Sequence, residues 1–212
     1  LLDRARSAEK ELERLKQKLA SQAGGDLAEM RDAGDAVVDT IGAIIEPMHQ
    51  AMLALANAPQ PTLASVHGAV AGAGVSLTLG TDLAIAADNA CFNLAYINIG
   101  GVPDCSGSWT LPRLVGQRKA MEIALLGETF DAAEALRLGL VNRVVPAAAL
   151  EEQTRKMALQ LADKAPTAMR YTRALIRQGQ DCSLAEQLYA EEAAFKACAG
   201  TEDFREALAA FF

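Results

Sequence analysis

The stretch "TLASVHGAVAGAGVSLTLGTDLAIAAD", residues 62–88, carries the reading of the fold. Thr62–Val66 is β-branched and apolar, bounded by "PQP" on one side and "HG" on the other, and predicts a short strand. "AVAGAGVSLTLG" follows as a join from strand through turn to helix. "DLAIAAD" then reads as a short buried strand, so the period of the pattern changes twice. In the turn, Gly72 and Gly74 flank Ala73, and residues this small let a ligand come close to the backbone. The helix that follows would present its first amides and the positive end of its dipole there, which suits an oxyanion or a phosphate. A dinucleotide fingerprint fails on spacing, because its third glycine falls where Leu77 stands. The same turn also serves as plain tight packing of a strand against a helix, and the stretch alone leaves both readings open.

Upstream, "QAGGDLAEM", residues 22–30, repeats the arrangement: small residues precede a helix start that Asp26 can cap. Two turns that present amides can aim two N–H donors at one developing negative charge, as acyl-transfer and enolate chemistry requires. Residues 1–22 read as a charged helix with a narrow stripe of Leu12, Leu15 and Leu19. A second helical stretch covers 35–56, with Pro47 expected to kink or divide it. "CFNLAYI" predicts another buried strand after a turn at "NA", residues 89–90. From Asp104 to Gly127 the pattern is helical, with Pro112 and Gly116 separating two pieces. Asp131 and Glu134 form a capping pair before a short helix, Gly139 stops it, and "LVNRVV" reads as a strand. From Pro146 onward everything is helical, with caps at Ser183 and Thr201. The expected organisation is a charged helix (1–22), a mixed α/β core (23–145) and a helical C-terminal region (146–212).

The 212 residues carry a net charge of −7 and no run of Lys and Arg, which argues against a nucleic-acid partner. No apolar run reaches the length of a membrane span. The four cysteines lack pair spacing and, with only His49 and His67 present, offer no metal set. They read as reduced thiols of a cytoplasmic protein.

Several motifs in order, "AGGDL", the 62–88 stretch, "CFNLAYINIGGVPDCSGSWTLPRLVG" and "EALRLGLVNRVVP", resemble the crotonase superfamily of enoyl-CoA hydratases and isomerases. The resemblance runs from Ala23 to the end of the chain. It implies an α/β fold, a spiral of ββα units with a C-terminal helical region that forms trimers or dimers of trimers. The implied substrate is an acyl-CoA thioester, with no cofactor besides the coenzyme A of the substrate itself. The backbone amides of Ala23 and Ala73 are the implied donors to the thioester oxygen. Gly24, Gly25, Asp26, Gly72, Gly74, Ser76, Tyr96, Gly100 and His49 make up the implied substrate-binding set. The family opens with strands ahead of "AGGDL". Here "ERLKQKLASQ" stands there, so the core is expected to be shortened at its N-terminal side.

Hydratases of this family carry two glutamates at positions that hold Ser76 and Tyr96 here. Neither residue can act as a carboxylate base toward water. The catalytic carboxylate is instead expected at Asp104, where isomerases of the family carry an Asp. "GGVPDCSGSWTLPRLVG" is especially similar to the epoxyphenylacetyl-CoA isomerases. Four readings follow. The first is an isomerase with Asp104 as the proton shuttle. The second is a hydrolase or dehalogenase with Asp104 as nucleophile and His49 as base. The others are a hydratase-like protein without the usual glutamates and a CoA-binding or assembly module without chemistry. Asp104 also reads as an N-cap of a helix over 106–114. Ile97, Ile99 and Val102 suggest that it is partly buried, Trp109 reads as core or pocket wall, and His67 as structural.

Overall fold

The computed structural model describes residues 27–212. A short helix α1 (Leu27–Asp32) leads into α2 (Val37–Asn57), which continues through Pro47 as one helix. Six strands follow: β1 (Leu63–Val66), β2 (Ala69–Ala71), β3 (Leu83–Ala87), β4 (Cys91–Asn93), β5 (Phe130–Asp131) and β6 (Arg143–Val145). Helix α3 (Ala73–Gly80) follows β2, a 3-10 turn (Tyr96–Ile99) and α4 (Gly107–Leu126) follow β4, and α5 (Ala132–Arg137) follows β5.

The strands form two three-stranded sheets, in the orders β1-β3-β6 and β2-β4-β5. All pairs are parallel except β4 with β5. Leu63 stands against Leu83 and Ala69 against Cys91, so β1–β2–α3 and β3–β4–α4 each add one strand to each sheet and then a helix. That is a spiral of ββα turns, the architecture expected from the resemblance. Parallel strands must be crossed over by intervening chain and end up covered on both faces. β3 shows the consequence in its residues: Ala84 and Ala86 join the main core with Phe92, Leu94, Val75 and Leu111, while Ile85 and Ala87 pack outward against Leu150 and Met157.

Two sequence expectations are trimmed. "CFNLAYI" yields strand only over Cys91–Asn93, because Ala95 turns into the left-handed region and Tyr96–Ile99 coils. "LVNRVV" yields only Arg143–Val145, because the Asn142 side chain takes the Ala84 amide at 2.8 Å ahead of the ladder. In α4 the break falls at Gly116 alone (φ 77°, ψ 158°), and Pro112 lies inside the first piece.

The C-terminal region is helical as expected: α6 (Leu150–Ala162), α7 (Pro166–Gln178), α8 (Leu184–Ala199) and α9 (Glu202–Phe211). Ser183 and Glu186 close a reciprocal capping box, and Thr201 caps α9. α7 is fastened to the core by a feature the sequence patterns did not reveal. Asp82 receives Arg173 at 2.7 Å, Arg177 at 2.8 Å, and the Thr62 amide and hydroxyl at 2.7 and 2.8 Å. The Arg173 guanidinium also donates to the carbonyls of Leu55 (2.6 Å), Ala56 (2.9 Å) and Ala58 (2.6 Å), and Arg177 to that of Gly80 (3.2 Å). Two cations thus cap the C-terminal ends of α2 and α3, where free carbonyls and the dipole favour positive charge. Among the described residues no helix is long and apolar enough to cross a membrane.

Candidate functional site

The turn between β2 and α3 is built around Gly72, whose backbone (φ 51°, ψ −121°) lies where side chains are strained. Its N–H donates to the Asn93 carbonyl at 3.0 Å, fixing it to the end of β4. Its carbonyl accepts from Val75 (3.0 Å) and Ser76 (3.2 Å), which starts the helix. Ala73 and Gly74 are then the first helical residues, and amides in that position have no carbonyl a turn earlier to bond. A Cβ on Gly72 would lie in ordinary contact with Tyr96, 3.8 Å from the ring Cζ and 3.9 Å from the hydroxyl, so it is the positive φ and not space that favours glycine there. The hydroxyl end of Tyr96 therefore lies beside the amide turn.

The Tyr96 hydroxyl donates to Oδ1 of Asp104, eight residues on. Burial is the largest influence on that phenol and pushes its pKa well above the ordinary 10.0. The Asp104 hydrogen bond and charge act in the same direction, and Ser76 opposes them. Tyr96 thus keeps its proton and remains a donor. Ser76 lies one turn inside α3, is fully buried, and has no partner in full hydrogen-bond geometry, although it is close enough to Tyr96 to favour the phenolate. Its hydroxyl abuts Gly107, where a Cβ would approach it to 2.6 Å; glycine at the start of α4 is what lets α3 and α4 meet this closely. Next to Asp104, Cys105 is buried among Met48 and Met52, and burial, followed by the Asp104 charge and hydrogen bond, pushes its thiol up to about 12. A thiol so protonated is a poor nucleophile.

Ser76, Tyr96, Asp104 and the turn Gly72–Gly74 thus lie together. Gly100 lies on the same loop, in the left-handed region that ends the 3-10 turn. His49 is different: it lies on the exposed side of α2, whose buried side, Met48 and Met52, packs against Cys105. Ala23, Gly24, Gly25 and Asp26, and the charged helix expected over 1–22, lie outside the described residues.

Three expectations need correction. Asp104 does not cap α4 with its side chain: the N-cap is Ser106, and the Asp104 carboxylate is turned to Tyr96 while its carbonyl accepts from Gly107 at 2.8 Å. Ile97, Ile99 and Val102 are exposed, so the half-burial of Asp104 comes from its packing beside Tyr96 and Cys105 and not from those apolar residues. Trp109 is neither core nor enclosed wall; it is 53% exposed, with the Arg113 guanidinium 3.8 Å above its ring. His67 is exposed as well. Two open depressions, one lined by Lys119, Phe130 and Glu134 and one by Arg118, Met121 and Leu125, lie along the C-terminal half of α4. The chemistry around Asp104, and not cavity size, marks the site.

Sequence reasoning missed the strain around these residues. Ala95 (φ 51°), directly before Tyr96, and Cys105 (φ 48°) and Ser106 (φ 68°), directly after Asp104, are the non-glycine residues with left-handed backbone among those described. None is of a type that signals such a conformation.

This spiral of ββα turns with its helical C-terminal region is a crotonase-type fold. The sequence profile of the Enoyl-CoA hydratase/isomerase family matches residues 19–212, and the chain belongs to that family. It is 38% identical over 192 residues to a "probable enoyl-CoA hydratase" of Mycobacterium bovis, covering 91% of this chain and 73% of that one. It is 32% identical over 200 residues to the 1,2-epoxyphenylacetyl-CoA isomerase of Escherichia coli, covering 91% and 76%. The crystal structure of an enoyl-CoA hydratase from Polaromonas sp. JS666 superposes with a TM-score of 0.84 at 33% identity, covering 88% of this chain and 72% of that one.

Proposed function

We propose that this chain is an acyl-CoA isomerase that moves a double bond through a thioester enolate. The observation that carries this reading is the Asp104 carboxylate, turned to Tyr96 beside the amide turn at Gly72–Gly74, while Ser76 and Tyr96 hold the positions where hydratases of the family carry glutamate. The Ala73 amide, with Ala23 as the second donor, would bond the thioester oxygen where negative charge develops. Asp104 would remove a proton from carbon 2 of a 3-enoyl-CoA, leaving a dienolate whose charge rests on that oxygen. The same carboxyl would return the proton to carbon 4, giving the 2-enoyl-CoA. One carboxylate suffices for this shuttle, whereas hydration also needs a base for water. The shuttle as written uses no metal or redox cofactor, and coenzyme A enters as part of the substrate.

A substrate panel tests the reading. We expect isomerisation of 3-hexenoyl-CoA and little hydration of crotonyl-CoA; rapid hydration without isomerisation would overturn it. We further propose assembly as a homotrimer or a dimer of trimers. Leu184, Tyr189, Phe195 and Phe211 on α8 and α9 are exposed by 75, 74, 66 and 83%, which suits surfaces covered by other copies. A cytoplasmic location agrees with all four cysteines being free.

A further inference from the structure

Asp104 is half-buried and sits on a loop, and a loop carboxylate turns about its own side-chain bonds unless something holds it. A proton shuttle needs the opposite, a carboxylate fixed toward the carbons it serves. We infer that Tyr96 is the positioning residue for Asp104, its phenol clamping Oδ1 so that the remaining carboxylate lone pairs face the amide turn. The catalytic consequence rests on the isomerase reading; the clamp itself does not.

Three observations converge on this role. The phenol donates to Asp104 Oδ1, and the same hydroxyl end lies beside Gly72, so one side chain adjoins both the carboxylate and the turn that carries the Ala73 amide. Ser76, a fully buried side chain with no partner in full hydrogen-bond geometry, also lies close to the hydroxyl. Finally, the backbone is strained immediately before Tyr96, at Ala95, and immediately after Asp104, at Cys105 and Ser106. Such conformations persist only where the surroundings over-determine them, and they gather where a side chain must be held in place. Here the strained residues bracket the two partners of one hydrogen bond. Two titratable groups, Tyr96 and Cys105, face Asp104. The Cys105 thiol is a weak donor, so the phenol carries the clamp.

The test uses the full chain with 3-hexenoyl-CoA, comparing Tyr96→Phe, Asp104→Asn and the double variant. Tyr96→Phe keeps the ring and removes the donor. The expected result is an unchanged melting transition, KM within about twofold, and kcat lower by about 10- to 100-fold, the scale of a misplaced catalytic group. The double variant should be no slower than Asp104→Asn, because a residue that acts through another has nothing further to lose. An unchanged kcat in Tyr96→Phe, or a full additive loss in the double variant, overturns the proposal. A second readout needs neither turnover nor a folded Tyr96→Phe. With 13C-labelled aspartate, the Asp104 carboxylate signal is identified by its absence in Asp104→Asn. In the wild-type protein it should show an isotope shift between H2O and D2O from the phenolic proton. No shift overturns the clamp. If the wild type fails to isomerise 3-hexenoyl-CoA yet shows the isotope shift, the isomerase reading falls and the clamp stands.

Discussion

At the scale of single residues, Asp104 and its neighbours separate chemistry from capping. Asn replaces Asp at a helix N-cap at a cost of only a few tenths of a kcal/mol, and the Asp104 carboxylate caps nothing. Asp104→Asn is therefore expected to fold with an unchanged melting temperature and to lose about 10²–10⁴-fold in turnover, the usual contribution of a general acid/base. Calorimetry and turnover on one preparation check both halves. Ala95 offers the converse, a residue whose conformation costs stability. Left-handed backbone costs an L-residue about 1–2 kcal/mol, and the added chain entropy of glycine returns about 0.5–1 kcal/mol of that. Ala95→Gly should raise stability by about 0.5–1 kcal/mol in urea unfolding. Of these residues, Gly72, Ala73 and Gly74 stood out in the sequence because glycine punctuates a strand–helix join. The Tyr96–Asp104 bond did not, since no local pattern links two residues across a 3-10 turn and a loop.

At the scale of elements, two contacts decide how the helices meet. Where α3 crosses α4, Ser76 fills the space that a Cβ on Gly107 would need, at 2.6 Å. Gly107→Ala should destabilise by about 1–3 kcal/mol, the range for overpacking a fitted interior. Ser76→Ala in the same chain should recover most of it, because the Ser76 Cβ lies 3.6 Å from that position, in ordinary contact. A double-mutant cycle in denaturant measures the recovery. Where α7 meets the core, the Asp82 cluster sets a pH dependence. Desolvation raises the Asp82 carboxyl, but Arg173, the two Thr62 hydrogen bonds and Arg177 outweigh it and hold it below its ordinary 3.8. A carboxyl depressed in the folded state adds stability above its unfolded value, and that stability is lost as pH falls through the folded one. Wild type should thus lose stability as pH drops below 3.8, and Asp82→Asn should lack that component. At neutral pH Asp82→Asn should cost about 2–3 kcal/mol, less than the 3–5 kcal/mol of a fully buried broken pair, because the Arg177 side chain is 32% exposed. Thermal melts at pH 3, 5 and 7 distinguish the two curves.

At the scale of the whole molecule, the expected assembly gives a separate check. Tyr189→Glu, in the middle of exposed α8, should leave the fold intact by circular dichroism and shift the sedimenting species toward the monomer. The alternation of strands and helices, the capping pairs at Asp131 and Ser183, and the helical tail were all legible in the chain, because they are local: period, cap and turn chemistry act over a few residues. Chain order also carried the family motifs, and with them the turn that presents Ala73. What only the tertiary structure decided is which distant groups meet. The sorting of β1 and β2 into different sheets follows from the spiral's return after each helix. The turning of Asp104 from cap to clamp, the orphaned hydroxyl of Ser76, and the gathering of Arg173 and Arg177 on Asp82 depend on packing between segments far apart in sequence. Such contacts leave no periodic signature. Burial selects them, because an unpaired polar group is costly there and pairs with whatever the surrounding backbone brings within reach; for Ser76 it brings no partner in full geometry.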